Sequence, residues 1–363
     1  MKTRYASLDV TRAVALLGVV ALNFHGYLNG GEAFRPSNPT LWNRVFSPLT
    51  GILSTRFAAT FVLVAGIGMT LFMAGATGNA EESRRRRLVL LRRGAALFGV
   101  GAILQWVWPG TILFYYGAYF MIGAAIVAWS TRALVIVATI TSLFSAVLTG
   151  WRGNRLLAGD PTRWLSPPVD SPRNLVIRVF VDYTHPVVPW LVFVIGGIVL
   201  GRHLATLRAF RFRLMTVCVA VLVGTHVLRS RTWRSPVLTT DDVIRRVIVS
   251  TDPYDRAIGY VLSTLAVALL AFCVISLVCE HLADSRAVDA LSQVGSMSLT
   301  LYFGHVLFYN VLVGQLGLVG PDGLGSALLL TLLYVIPAFV FALWWKSVVG
   351  TGPAERAYRI IGG

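Results

Sequence analysis

A chain of 363 residues in which 56% are hydrophobic and only 13% charged falls well short of the roughly 25% charge of soluble globular chains, which excludes an ordinary soluble enzyme. Sixteen acidic residues face 32 basic ones for a net charge of +16, and every basic residue except Lys2 and Lys346 is arginine. The arginines sit in short connections between apolar runs, where cytoplasmic placement and anionic lipid account for them, so no nucleic-acid partner is expected.

Windows of about 19 residues predict an all-α fold, a polytopic integral membrane helical bundle with about ten transmembrane helices forming a single domain over 1–363. The spans fall near 10–28, 57–76, 90–108, 111–130, 133–150, 186–204, 212–229, 258–280, 290–313 and 325–346, each close to the length that crosses the hydrocarbon core. The first begins after Lys2 and Arg4 as a signal peptide would. Asp9, Arg12 and Asn23 interrupt it and no small-residue cleavage site follows, so it reads as a retained span. The run Arg84, Arg85, Arg86 and Arg87, continued by Arg92 and Arg93, is the strongest orientation signal and belongs in the cytoplasm. Alternation from there puts Arg132, Arg202, Arg208, Arg211, Arg213, Arg286, Lys346, Arg356, Arg359 and both termini on that side. The polar connections 151–173 and 230–257 then lie outside. Between Asn174 and Trp190 a surface or re-entrant helix is expected, ending in His185-Pro186-Val187-Val188-Pro189-Trp190. Gly197 and Gly201 form a GxxxG pair whose first reading is close helix packing. Cys218, Cys273 and Cys279 show neither CxxC nor metal-like spacing, and no metal site is expected.

Ionisable groups inside spans are costly and point to function. Asp9, Arg12 and Asn23 share one face of the first span at 100° per residue. An ion pair is the structural reading of Asp9 and Arg12, and an interhelical hydrogen bond that of Asn23. His25 points about 200° from Asn23 on an ideal helix and joins it only if the helix unwinds at Gly26. In the ninth span Ser298, Tyr302, His305 and Tyr309 form one polar stripe. Tyr115, Tyr116 and Tyr119 line the fourth span and Gln105 ends the third. With His25, His185 and His305 they predict a polar cavity opening outward. Arg92 and Arg93 lie in an apolar run where a phosphate-bearing ligand can take charge-assisted hydrogen bonds. No nucleotide-binding glycine motif, HExxH or GxSxG is present.

The first span, Ser7-Leu8-Asp9-Val10-Thr11-Arg12 through Leu22-Asn23, resembles the opening of heparan-alpha-glucosaminide N-acetyltransferase-like membrane proteins, with D-x2-R and then Asn fourteen residues after Asp. Arg56-Phe57-Ala58-Ala59-Thr60-Phe61 with Gly66, His185 to Trp190 followed by Gly197 and Gly201-Arg202, and Gly295-Ser296-Met297-Ser298-Leu299-Thr300-Leu301-Tyr302 look like the bacterial branch of the group. The resemblance implies a multi-pass bacterial plasma-membrane acyltransferase moving an acyl group, commonly acetyl, from cytoplasmic acyl-CoA to a hydroxyl or amine of an extracytoplasmic glycan or glycolipid. On that reading His25 is the general base on the acceptor, with Asn23 orienting it or hydrogen-bonding the thioester oxygen, and Tyr302 and His305 are secondary catalytic candidates. Arg92 and Arg93, with Asp9, Arg12 and Arg56, are the donor-side candidates, and His185, Trp190, Tyr115 and Tyr116 the acceptor-side ones. The place of the catalytic histidine of the lysosomal members, eleven residues after the Asn, is Phe34 here, so either His25, His185 or His305 substitutes for it or this branch works differently. A transporter or flippase, and a non-catalytic membrane partner, are the alternative functions. Membrane lipid is a partner on every reading, and a homo-oligomer is compatible with all of them.

Overall fold

The computed structural model describes residues 6–29, 40–76, 78–160, 171–232 and 239–363; Phe34 lies outside them. Among the described residues every regular element is helical. In chain order they are α1 (Ala6–Leu28), α2 (Leu41–Phe46), α3 (Arg56–Ala74), α4 (Ala80–Leu104), α5 (Leu113–Ile126), α6 (Thr131–Leu157), α7 (Pro172–Phe180) and α8 (Val187–Arg202). After them come α9 (Leu207–Thr232), α10 (Thr240–Val249), α11 (Ile258–His281), α12 (Arg286–Gly295), α13 (Ser298–Tyr309), α14 (Gly323–Val348) and α15 (Pro353–Gly362).

Each of the ten expected spans coincides with a helix, but only α1, α3, α6, α9, α11 and α14 are long and apolar enough to cross a membrane unaided. The other four depart for separate reasons. α4 starts ten residues before the expected 90 and carries two acids and six arginines. α5 and α8 have 14 and 16 residues, short of the roughly 20 a span needs. The ninth span is not continuous, because α12 and α13 meet at a 72° bend and give a seventh crossing only as a pair. The helix expected between Asn174 and Trp190 is α7, nine residues capped by Ser171 with Pro172 in its first turn, where a missing N–H costs nothing.

The described residues of Met1–Phe61 and Ala271–Ile360 form one compact unit, and those of Val62–Leu270 and Ile361–Gly363 another. In the first, α1 packs on α12, α13 and α14. Gly295 closes α12 directly on the α1 backbone, where a Cβ would lie 1.7 Å from the Asp9 carbonyl oxygen. Phe24 is fully buried and stacks on Tyr309 and Phe308, with Tyr334 of α14 edge-on. Past the bend, Glu355 accepts from the Leu299 and Thr300 amides at 2.7 and 3.1 Å and from Thr300 Oγ1 at 2.5 Å, so a carboxylate from α15 supplies the cap that the start of α13 lacks.

In the second unit the GxxxG pair packs as expected. A Cβ on Gly197 would lie 1.9 Å from the Leu63 carbonyl oxygen, one on Gly66 2.2 Å from that of Val194, and one on Gly201 2.9 Å from Thr70 Cβ. The backbones of α3 and α8 therefore touch where no side chain stands between them. The α7–α8 turn is held by charge. Asp182, 2% exposed, accepts from Arg256 and, at 3.2 Å, from Arg152, while Arg256 also donates to the carbonyls of Val181 and Tyr183.

Candidate active site

In the first unit the polar residues of α1 separate into two groups. Near its start Arg12 donates to Asp9 at 3.0 Å, and Asp9 is buried beneath it. Near its end Asn23 Nδ2 lies 3.2 Å from His305 Nε2. His305 is fully buried on α13, and its Nδ1 bonds the Tyr302 carbonyl. A carbonyl only accepts, so the proton of the neutral ring is on Nδ1 and Nε2 carries the lone pair that receives the Asn23 N–H. The Tyr302 ring stands edge-on to His305 at 4.8 Å.

His25 does not join Asn23. α1 continues without unwinding at Gly26, so the two side chains keep their separation around the helix. Instead His25 Nδ1 lies 3.0 Å from Asn29 Nδ2. The Asn29 amide is oriented by Gly323, whose N–H it accepts and whose carbonyl it donates to, both at 2.8 Å. With Oδ1 thus assigned, Asn29 donates to His25, and the proton of neutral His25 is on Nε2. The two histidines present opposite tautomers, and only His305 offers a basic Nε2. Arg56, buried at the start of α3, donates to the Ser54 carbonyl at 3.1 Å.

In the second unit Tyr115, Tyr116 and Tyr119 are buried on α5. His185 packs edge-on against Trp190 at 4.6 Å and Tyr115 at 5.7 Å, and Tyr119 Oη donates to the His185 carbonyl. The buried His185 Nδ1 has no hydrogen-bond partner among the described residues. Burial, then the charge of Arg256, hold this imidazole down at about 3, so it is neutral at every physiological pH. Arg178 lies over the Tyr183 ring at 3.6 Å and donates to Gln105 Oε1 at 3.2 Å.

The arginine run of the same unit is divided between structure and surface. Arg86 donates to the Phe72 carbonyl in the last turn of α3, and Arg87 to those of Ala124 and Ala125 in the last turn of α5, where a cation meets the negative end of a helix. Arg85 and Arg86 also clasp Glu82 and hold its carboxyl at about 2. Arg93 lies over the Phe72 ring at 5.1 Å, and Arg92 is exposed.

A family model described as heparan-alpha-glucosaminide N-acetyltransferase, catalytic, matches residues 4–230, well over half of the chain. The chain belongs to this family of membrane acetyltransferases. A second model, a protein of unknown function (DUF418), matches residues 250–361. No curated protein matches the chain. Asn23, His25, Arg92, Arg93 and His185 lie in the acetyltransferase-matched part, whereas Tyr302 and His305 lie in the other. Sequence reasoning missed Asn29, Asp182, Arg256, Tyr334 and Glu355. Asp182 stands three residues before His185 and could have been suspected on that ground. Asn29 stands four residues after His25, which its amide meets, and could have been suspected likewise; Arg256, Tyr334 and Glu355 act across 33 to 75 positions, which leaves no local signal.

Proposed function

We propose that the chain transfers an acetyl group from acetyl-CoA to an amine or hydroxyl of an extracytoplasmic glycan or glycolipid, with His305 as general base and Asn23 as its partner. The observation that carries this reading is the His305 tautomer: a buried imidazole oriented by the Tyr302 carbonyl, with its basic Nε2 meeting a side chain of the first span. The acceptor N–H or O–H takes the place of the Asn23 N–H on Nε2, and its proton passes to the ring as the heteroatom attacks the thioester carbonyl. Asn23, released from Nε2, donates to the carbonyl oxygen as negative charge grows there. The C–S bond breaks, and the CoA thiolate recovers the proton from the imidazolium. General-base assistance of this kind contributes about 10² to 10⁴ in rate. Tyr302 acts by presenting the backbone carbonyl and packing the ring.

The exposed Arg92 and the neighbouring Arg93 supply cations for the phosphates of CoA. The His185, Trp190, Tyr115 and Tyr116 cluster, aromatic with sparse polar atoms, has the composition of a sugar-stacking surface. The cell membrane, with both termini in the cytoplasm, is the setting this reading requires.

The test is calorimetric binding of acetyl-CoA to the purified protein in detergent, followed by CoA-thiol release with a glucosamine-terminated acceptor. Arg92→Ala should weaken donor binding about ten-fold or more, the loss of one charge-assisted hydrogen bond. His305→Ala should bind acetyl-CoA normally and release thiol about 10² to 10⁴ times more slowly. Undiminished release by His305→Ala and Asn23→Ala would remove the assignment of the base.

A further inference from the structure

In the second unit Ile361–Gly363, at the end of α15, lie against the middle of α4. A Cβ on Gly362 would fall 2.3 Å from Arg93 Cγ and 3.0 Å from its Nε, and one on Gly363 3.8 Å from Val89 Cγ2 and 3.9 Å from Arg92 Nη1. Gly362 is buried in this contact, and only a residue without a side chain lets the backbone lie so close to an arginine stem. The half-buried Arg93 also lies over the Phe72 ring at 5.1 Å. The side chain assigned to a donor phosphate is thus already engaged by the protein itself.

What lies on Arg93 is the carboxyl end of a helix. The carbonyls of a last turn have no intrahelical partner, and together they present the negative end of the helix dipole, which favours a nearby cation about two- to five-fold. A phosphate offers full charge to the same guanidinium, and its charge-assisted hydrogen bonds are about twice as strong as neutral ones. Ile361 stays 60% exposed, so lifting this stretch off α4 costs little apolar burial.

We infer that Ile361–Gly363 form a self-inhibitory flap over the donor arginines, which acetyl-CoA displaces when its phosphates take Arg93. Flap and donor occupy Arg93 in turn. The inference rests on the acetyl-transfer reading for the identity of the ligand, and it adds a control on donor entry built into the chain.

The test uses the full-length protein in detergent, with acetyl-CoA binding read by calorimetry. Val89→Cys combined with Gly363→Cys brings two thiols within reach of a disulfide, and the native cysteines are buried. Binding should be lost in the oxidised pair and restored by a non-thiol reductant, and saturating acetyl-CoA should slow closure of the disulfide. Gly362→Leu, whose side chain has no room on Arg93, should bind acetyl-CoA about two- to five-fold more tightly than the wild type. Equal binding by the oxidised and reduced pair overturns the flap and leaves the donor site standing. Unchanged or weakened binding by Gly362→Leu also overturns it, and decides alone where the disulfide does not form. No binding by the wild type, the reduced pair or Gly362→Leu overturns the flap and the donor site together.

Discussion

Asn29 closes α1 with a single amide that satisfies both backbone groups of Gly323 and fixes the ring of His25. Removing it strands a donor, an acceptor and an imidazole nitrogen, and unpaired buried groups cost about 1 to 3 kcal/mol. Asn29→Ala should therefore lose about 2 kcal/mol of stability, read as a lowered thermal midpoint in detergent, while acetyl-CoA binding is retained. His185 gives a pH prediction. Folding lowers its value from 6.5 to about 3, by burial first and the Arg256 charge second. Below about pH 6.5 the unfolded chain takes up a proton that the folded chain refuses, so this contribution is complete above that pH and is lost as pH falls toward 3, by at most about 1.4 kcal/mol per unit. Between pH 7 and 5 the wild type should lose about 2 kcal/mol more than His185→Gln; parallel losses would show that another group carries the acid sensitivity. The stripe on α13 was legible because four- and three-residue spacings survive in any helix. That Asn23 belongs to His305 was not, since that pairing depends on how α1 rotates against α13, whereas His25 and Asn29, four residues apart, meet within one helical turn.

Helix positions followed from apolar windows, and the ten expected spans all fall on helices, because burying a long hydrophobic run requires internally satisfied backbone whatever the neighbours are. The bend between α12 and α13 has no proline to announce it. It is stabilised by Glu355, 55 and 56 positions away, and a window sees only what is adjacent. Glu355→Ala should uncap α13 at a cost of about 1 to 3 kcal/mol. Because α13 carries Tyr302 and His305, it should also lower the rate of thiol release more than it weakens donor binding, with Glu355→Gln recovering part of both. At the α3–α8 crossing the GxxxG pattern gave the contact correctly. Gly197→Leu must displace the Leu63 backbone, and overpacking of this kind costs about 1 to 3 kcal/mol or more. Gly224, which has nothing within 4 Å, is the control: Gly224→Ala should leave the thermal midpoint unchanged or raise it.

At the scale of the molecule, composition established that the chain is embedded in a membrane, but sidedness depends on which short helices cross. α4 and α5 are antiparallel neighbours, so whether they cross together or not at all, α6 starts on the same side. α8 is the deciding helix: its 16 residues reach only about 24 Å against a core of about 30 Å, a mismatch that bilayer thinning accommodates. Its neighbours lead us to expect that it crosses. Its end is tied to the start of α6 through Arg202 and Thr131, and the turn before it is tied to the last turns of α6 through Arg152 and Asp182. It therefore runs antiparallel beside a 27-residue helix long and apolar enough to span, with both ends fixed near the ends of that helix. The arginines after α8 then fall on the same side as Arg84 and Arg132, as the positive-inside rule requires. The native thiols Cys218, Cys273 and Cys279 are buried, so single introduced cysteines report against a low background. In vesicles of known sidedness, Glu81→Cys and Ala205→Cys should react with an impermeant maleimide only from the cytoplasmic face, and Ala158→Cys only from the other. Reaction of Ala205→Cys from the same side as Ala158→Cys would mean that α8 does not cross. Reversed labelling of Glu81→Cys and Ala158→Cys would put the proposed donor arginines outside, away from cytoplasmic CoA.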